Sequence, residues 1–97
     1  MSLTNKQKRF LRSLAHNLKP VVMLGNSGLT EGVINETVSR LAHHELIKVR
    51  ISGADREERS TMSETLARES GSEVVNTIGH ITVLYRRSNK PQIKLPN

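Results

Sequence analysis

One stretch constrains the fold of this chain more than any other. Val21–Leu24 is wholly apolar, Gly25-Asn26-Ser27-Gly28 follows it, and Thr30-Glu31 has the chemistry of a helix N-cap and first turn. This order is typical of a buried strand that turns sharply into a helix, and the unpaired amides at such a turn suit a phosphate group. A second interpretation stays open at this point, in which the glycines only shape a tight turn.

The charge of the chain is segregated along the sequence. Of the net +6, residues 1–30 contribute five basic residues and no acidic one, and residues 74–97 contribute four basic residues and no acidic one. Residues 31–73 hold six basic and nine acidic residues. Positive charge in two blocks favours a polyanionic partner, either nucleic acid or an anionic membrane, over two merely solvated faces.

Length and composition restrict the remaining possibilities. The 97 residues predict one small domain over 1–97, with a core at about 3–86 and a basic, extended, partly mobile tail from residue 87 on. There is no cysteine for a disulfide, a thiolate metal site or a nucleophile. The start of the chain lacks the apolar run of a signal peptide, and no stretch is long enough to span a membrane, so a cytoplasmic location is expected.

The first 20 residues predict an amphipathic helix over about Asn5–Leu18, capped by Thr4 and ended by Lys19-Pro20. Its apolar face, which includes a core position for Phe10, consists of Phe10, Leu11, Leu14, Ala15 and Leu18. Basic side chains gather on the opposite side, namely Lys8, Arg9, Arg12, His16 and Lys19.

The rest of the chain alternates strands and helices. After Val21–Leu24, apolar spacing predicts a second helix from Thr30 to about His44 and a third from Asp55 to about Ser70. Three more strands are predicted at Leu46–Ile51, Val74–Ile78 and Ile81–Tyr85. In the first of these, Ile47, Val49 and Ile51 face a covered side of the sheet, while Lys48 and Arg50 face an open one.

The resulting order is α-β-α-β-α-β-β, an α+β domain with two layers and a four-stranded mixed sheet. Two strand–helix–strand crossovers, right-handed by the usual rule, are expected to give parallel neighbours. The closing hairpin then adds one antiparallel strand.

Three separated motifs resemble those of one known family. They are Pro20–Thr30, His43–Val49 and Thr77–Arg86, with the sequences PVVMLGNSGLT, HHELIKV and TIGHITVLYR. In this order they resemble the CRM domain, and more closely its stand-alone bacterial form, the YhbY family, over about residues 3–95. The resemblance implies an RNA-binding domain, with a fold similar to the C-terminal domain of bacterial translation initiation factor three. It also implies a partner in ribosomal RNA or precursors of the large ribosomal subunit.

The family's loop falls here on Gly25, Asn26, Ser27 and Gly28. Because Asn26 and Ser27 carry no charge, we expect this loop to bind a phosphate through backbone amides and short polar side chains, together with the start of the second helix. We expect neighbouring phosphates of the RNA to contact the side chains of Lys8, Arg9, Arg12 and Lys19, and those of Arg86 and Arg87. Lys48 and Arg50 either extend this surface or only keep the open sheet face solvated.

No catalytic arrangement is visible in the sequence. There is no nucleophile elbow and no lysine of a nucleotide-binding loop after the glycines. His43 and His44 are adjacent on a helix and point about 100° apart, so they do not converge on a metal ion. We expect a monomeric binding protein with no cofactor, metal, membrane or small-molecule substrate.

Three alternatives remain at this level. Residues 5–19 have the pattern of a basic helix that lies on a membrane surface. A DNA-binding or nucleoid-type protein without RNA preference would also carry segregated positive charge. The third alternative is an adaptor that docks on another protein. The only aromatic residues, Phe10 and Tyr85, offer few rings on which bases could stack.

Overall fold

A computed structural model describes residues 2–53 and 55–97. Three helices and four strands follow the predicted order. The helices are α1 (Asn5–Ala15), α2 (Glu31–His44) and α3 (Arg56–Ser70), and the strands are β1 (Pro20–Leu24), β2 (Leu46–Ile51), β3 (Glu73–Ile78) and β4 (Ile81–Tyr85). α1 ends three residues before its predicted end at Leu18, because residues 16–19 turn back toward the start of β1.

The four strands form one mixed sheet in the order β1-β2-β4-β3. β1 and β2 are parallel, as predicted for the first crossover. The expectation that the second crossover also gives parallel neighbours is wrong, because β4 lies between β2 and β3 and is antiparallel to both. β4 is buried over residues 82–85, whereas β3 carries exposed residues and occupies an edge. The more apolar strand of the hairpin thus takes the interior position.

Helices pack on both faces of the sheet, so the domain has three layers and not the two that were predicted. On one face, α2 and α3 cover the larger core, with Val22, Leu41, Val49, Leu66 and Leu84 at its centre. On the other face, α1 contributes only Leu11 and Ala15 to a smaller core with Val75 and Val83. This second face is therefore covered over part of its area and open beyond the end of α1.

The predicted apolar face of α1 is correct for Leu11 and Ala15 alone. Phe10, Leu14 and Leu18 are 37%, 44% and 39% exposed, so the core position predicted for Phe10 is wrong. The physical reason is that α1 shares its sheet face with both chain ends. Leu3, Ile93 and Leu95 pack against the same core, beside Leu11 and Ala15.

Each helix begins at the residue that the sequence indicates. Thr4 and Gln7 form a reciprocal capping box at α1, Thr30 caps α2, and the Asp55 carboxylate accepts a hydrogen bond of 2.8 Å from the Glu58 amide at α3. These caps satisfy amide groups that a helix start leaves unpaired. They fix where the loops before α2 and α3 end.

The tail after β4, which is predicted to be extended and partly mobile, makes specific hydrogen bonds to the rest of the domain. The Glu45 carboxylate accepts hydrogen bonds from the Ser88 amide (3.0 Å) and hydroxyl (2.7 Å) and from the amides of Gln92 (2.9 Å) and Ile93 (2.8 Å). The Gln7 side chain donates to the Pro96 carbonyl at 3.0 Å. These four donors give the buried Glu45 carboxylate the hydrogen bonds that water would otherwise supply, and charge-assisted hydrogen bonds of this kind are strong.

None of the helices in the described part of the chain has the length and apolar character needed to cross a membrane.

Candidate nucleic-acid interface

The loop between β1 and α2 is an exposed tight turn. The Gly28 amide donates to the Gly25 carbonyl at 2.9 Å, and Asn26 and Ser27 at its tip are exposed. Neither of their amides donates to another residue within the described ranges 2–53 and 55–97. Two adjacent N–H groups are therefore available for an external acceptor such as a phosphate oxygen.

The two glycines of the loop differ in what the fold requires of them. Gly28 has a φ of +68°, a conformation that favours glycine, and a Cβ there would lie 3.8 Å from the Met62 methyl group. Gly25 has no positive φ, and a Cβ built on it meets no atom within 4 Å. The turn interpretation therefore explains the glycine at Gly28, whereas at Gly25 the fold leaves open space beside the backbone.

The start of α2 is less available than the sequence suggested. The Thr30 hydroxyl oxygen already accepts a hydrogen bond of 3.1 Å from the Val33 amide, and the Glu31 side chain places a carboxylate in the first turn. A phosphate at this position would compete with the cap and be repelled by the carboxylate. The loop amides of Asn26 and Ser27 are thus better placed to bind an anion than the helix end.

Three loops meet at this end of the sheet. The Ser52 amide donates to the Leu24 carbonyl at 3.0 Å, and a Cβ on Gly53 would lie 3.6 Å from the Asn26 side-chain oxygen. The His80 carbonyl accepts from the Ile51 amide at 2.8 Å. The carboxyl ends of the parallel strands β1 and β2 thus lie beside the β3–β4 turn, and we call this the loop end of the sheet.

Part of the predicted basic set faces the open area of the sheet. Lys8, Arg12 and His16 are spaced four residues apart and therefore share one side of α1. Arg12 and His16 line a cleft of about 190 Å³ together with Lys48. Lys48 is half-buried, and its ammonium group donates to the His16 carbonyl at 3.3 Å, which ties β2 to the end of α1. Arg50, closer to the loop end, is exposed.

The other predicted cations lie elsewhere. Arg86 and Arg87 follow β4, whose last residue pairs with Leu46 at the opposite end of β2 from the loop. Five residue steps separate Leu46 from Ile51, or about 17 Å of strand. Arg86 donates to the Ser70 carbonyl at 3.4 Å, at the C-terminus of α3. Arg9 is exposed on α1, and Lys19 lines a separate cleft with Leu14 and Leu18.

Comparison with known proteins decides the family. The model of the CRS1 / YhbY (CRM) domain matches residues 3–86. This chain belongs to the CRM domain family. An "RNA-binding protein" of Haemophilus influenzae is 55% identical over 95 residues, covering 98% of this chain and 96% of that protein. "Probable RNA-binding protein YqeI" of Bacillus subtilis is 42% identical over 95 residues, covering 97% and 99%.

A solved structure agrees with the fold. The solution structure of the hypothetical protein SAV1595 from Staphylococcus aureus superposes with a TM-score of 0.87 at 41% sequence identity. The match covers 98% of this chain and all of that one. The mixed sheet with three helices is therefore shared between this CRM domain and a relative of experimentally determined structure.

The aromatic residues of this CRM domain do not form a stacking surface. Tyr85 is 5% exposed in the smaller core, and its phenol pKa is raised, first by burial and then by the nearby Glu45 carboxylate. Phe10 is exposed, but the spacing along α1 places it away from Lys8 and Arg12. Neither ring belongs to the loop end of the sheet.

Two exposed apolar residues at the loop end of the sheet were not singled out from the sequence. Met23 is 65% exposed and Ile78 is 69% exposed, more than any other large apolar side chain in the described ranges. Strand alternation offered one signal, since Met23 lies between Val22 and Leu24 and must face the other side of the sheet. No pattern indicated that α1 would stop short of covering it.

Proposed function

We propose that this CRM domain binds RNA through its sugar–phosphate backbone, with the Gly25–Gly28 loop as the phosphate site. The observation that carries the proposal is the loop itself. It is exposed, it offers the unpaired amides of Asn26 and Ser27, and it leaves open space beside the Gly25 backbone. The relatives named as RNA-binding proteins support the same ligand.

The basic side chains would supply affinity while the loop sets the position of the strand. Lys8, Arg12, Lys48 and Arg50 are the candidates on or beside the open sheet face, whereas Arg9 lies on the solvent side of α1 and Lys19 lies further away. With about five phosphate contacts, log K should fall against log[salt] with a slope on the order of −3 to −4 for single-stranded RNA. A binding constant that is independent of salt would contradict the proposal.

The proposed partner is ribosomal RNA in precursors of the large ribosomal subunit, where the protein would act as an assembly factor in the cytoplasm. We propose that the monomer binds the RNA, because one chain supplies both the loop and the cations. We also propose that the protein has no catalytic role. Cosedimentation with large-subunit precursors in a sucrose gradient tests this role. Loss of cosedimentation after ribonuclease treatment would separate RNA binding from docking on a ribosomal protein.

The decisive experiment is a titration of a ribosomal RNA fragment with the variant N26D/S27D. Two carboxylates at the turn should repel the phosphate and lower the affinity by about tenfold, equivalent to ~1.4 kcal/mol. The matched control is N35D/S39D, which adds the same two charges at exposed positions of α2. Equal affinities of the two variants, with both folded by circular dichroism, would show that the glycines serve only the turn.

Duplex DNA is the main competitor to test. A titration of the same protein with duplex DNA and with RNA at one salt concentration measures the preference directly. Binding to both with equal affinity would support the DNA-binding alternative.

A further inference from the structure

A row of four side chains crosses the sheet just inside the loop end. Strand register aligns Met23 of β1 with Arg50 of β2, Arg50 with Ile81 of β4, and Ile81 with Ile78 of β3. All four therefore face the side of the sheet on which α1 packs. We call this set the open row, because Met23 and Ile78 are 65% and 69% exposed and Arg50 is exposed as well.

α1 does not reach the open row. Its buried residues, Leu11 and Ala15, pack with Leu46, Val83 and Tyr85, which lie further from the loop end. Arg12 and His16 lie at the margin, since they line the cleft that also contains Ile78 and Ile81. The row is thus an uncovered apolar strip with a cation in its middle and more cations along one side.

The charges around the open row favour an anionic partner. Arg50 lies within it, and Arg12, His16 and Lys48 lie beside it. On the same face, Glu73 pairs with Tyr85 at the far end of the sheet, and the Glu45 carboxylate is occupied by the tail there. The acidic residues of α2 and α3 belong to helices that pack on the opposite face. An acidic polymer with flat apolar groups matches this combination.

We propose that the open row binds unpaired nucleobases of a single-stranded RNA whose backbone lies on the Gly25–Gly28 loop. This inference rests on the proposed function and adds the kind of RNA, a single strand with accessible bases. Bases stack on guanidinium planes and pack between apolar side chains, so Arg50 and its apolar neighbours provide suitable surfaces. At about 4.8 Å between strands, the row spans about 14 Å, enough for more than one base.

Position along the chain links the row to the loop. Met23 lies in β1, two residues before Gly25, so an RNA with a phosphate on the loop has its neighbouring base within reach of Met23. Ile78 lies at the other edge, directly before the β3–β4 turn. The backbone would then follow the loop end while the bases turn inward over the sheet.

The test compares two probes, an unstructured 12-nucleotide RNA and a 12-base-pair RNA duplex whose bases are stacked inside the helix. The variant M23S/I78S should lower the affinity for the single strand by about tenfold, the lower end of the range for base–aromatic stacking. Its affinity for the duplex should not change. The slope of log K against log[salt] should also stay the same, because no phosphate contact is removed.

The matched control is L14S/L18S, which removes two exposed leucines in a separate cleft on the other side of α1. It should bind both probes as the wild type does. An M23S/I78S variant that keeps its affinity for the single strand, or loses affinity for both probes equally, overturns the inference. A wild-type protein that binds only the duplex also overturns it but leaves the proposed function intact, whereas one that binds neither probe overturns both.

Discussion

At the scale of single residues, the fold requires glycine at Gly28 but not at Gly25, and alanine substitution at each position tests this difference. G28A places a side chain at a φ of +68° and should destabilise the fold by about 1–2 kcal/mol. G25A meets no neighbour and should leave the unfolding free energy within about 1 kcal/mol of the wild type. Urea denaturation measures both changes.

The RNA affinity of G25A should fall even though its stability is almost unchanged. At Gly25 the added methyl group stands where the phosphate backbone approaches, so G25A should lower the affinity while the protein stays fully folded. A G25A protein with wild-type RNA affinity would show that nothing approaches the loop at that position.

Glu45 is a residue whose role no sequence pattern revealed. It follows α2 with a φ of +63°, where a non-glycine residue is uncommon, and its carboxylate is buried beneath the tail. Burial raises the pKa of this carboxyl, but the hydrogen bonds from Ser88, Ile93 and Gln92 outweigh it. The resulting pKa lies below the ordinary value of 4.5.

The sign of the pH effect follows from that direction. A pKa that is lower in the folded state than in the unfolded state gives stability that is present above pH 4.5 and is lost as the pH falls further. E45Q should remove this component and cost about 2 kcal/mol or more at neutral pH, because its amide group would face N–H donors. Denaturant titrations from pH 7 to pH 3 measure both effects.

E36Q is the control for E45Q, since Glu36 is exposed on α2. Its stability should follow the wild type across the whole pH range. Parallel pH profiles for E45Q and the wild type would show that another carboxylate carries the acid sensitivity.

At the scale of elements, one side of α1 borders the open area of the sheet and another faces solvent. Arg12 faces the open sheet area, whereas Lys6 lies about 120° away around the helix, on its exposed side. R12Q should reduce the magnitude of the slope of log K against log[salt] by about 0.7, the loss of one phosphate contact. K6Q should leave the slope unchanged. Equal slopes for the two variants would mean that α1 does not lie against the RNA.

Element types and limits were largely predictable because local chemistry marks them. Thr4, Thr30 and Asp55 cap the helices that the sequence assigned to them, and β2 has its predicted bounds. The side of α1 that becomes buried was not predictable. It depends on how much of the sheet the chain ends occupy, and the residues that do so, Ile93 and Leu95, are more than 70 positions away in sequence.

At the scale of the whole molecule, the sheet separates two clusters of cations. Arg12, Lys48 and Arg50 lie on the open face, while Arg86 and Arg87 follow β4 next to Leu46, about 17 Å of strand from Ile51 at the loop end. R87Q should therefore leave the affinity for a five-nucleotide RNA unchanged, although R12Q lowers it. Isothermal titration of both variants with the same short RNA measures the difference. A larger loss with R87Q would place the short strand at the other end of the sheet.

The strand order explains why sequence reasoning combined these two clusters into one surface. A hairpin after the second crossover can add its last strand on either side of β3, and both arrangements satisfy the local patterns. With β4 inside, the residues after Tyr85 emerge beside the start of β2, away from Gly25. The loop was predictable from local sequence spacing, whereas the basic side chains that lie near it depend on the order of the strands in the sheet.

The anchored tail has a practical consequence for the chain ends. The Gln7–Pro96 hydrogen bond and the bonds on Glu45 bring both termini to the same face, at the end of the sheet remote from Gly25. A short linker from Asn97 to Ser2 would close the polypeptide into a ring without crossing the loop. The same geometry makes either terminus suitable for an affinity tag or a fluorophore, and a cyclised chain would lose less entropy when it folds.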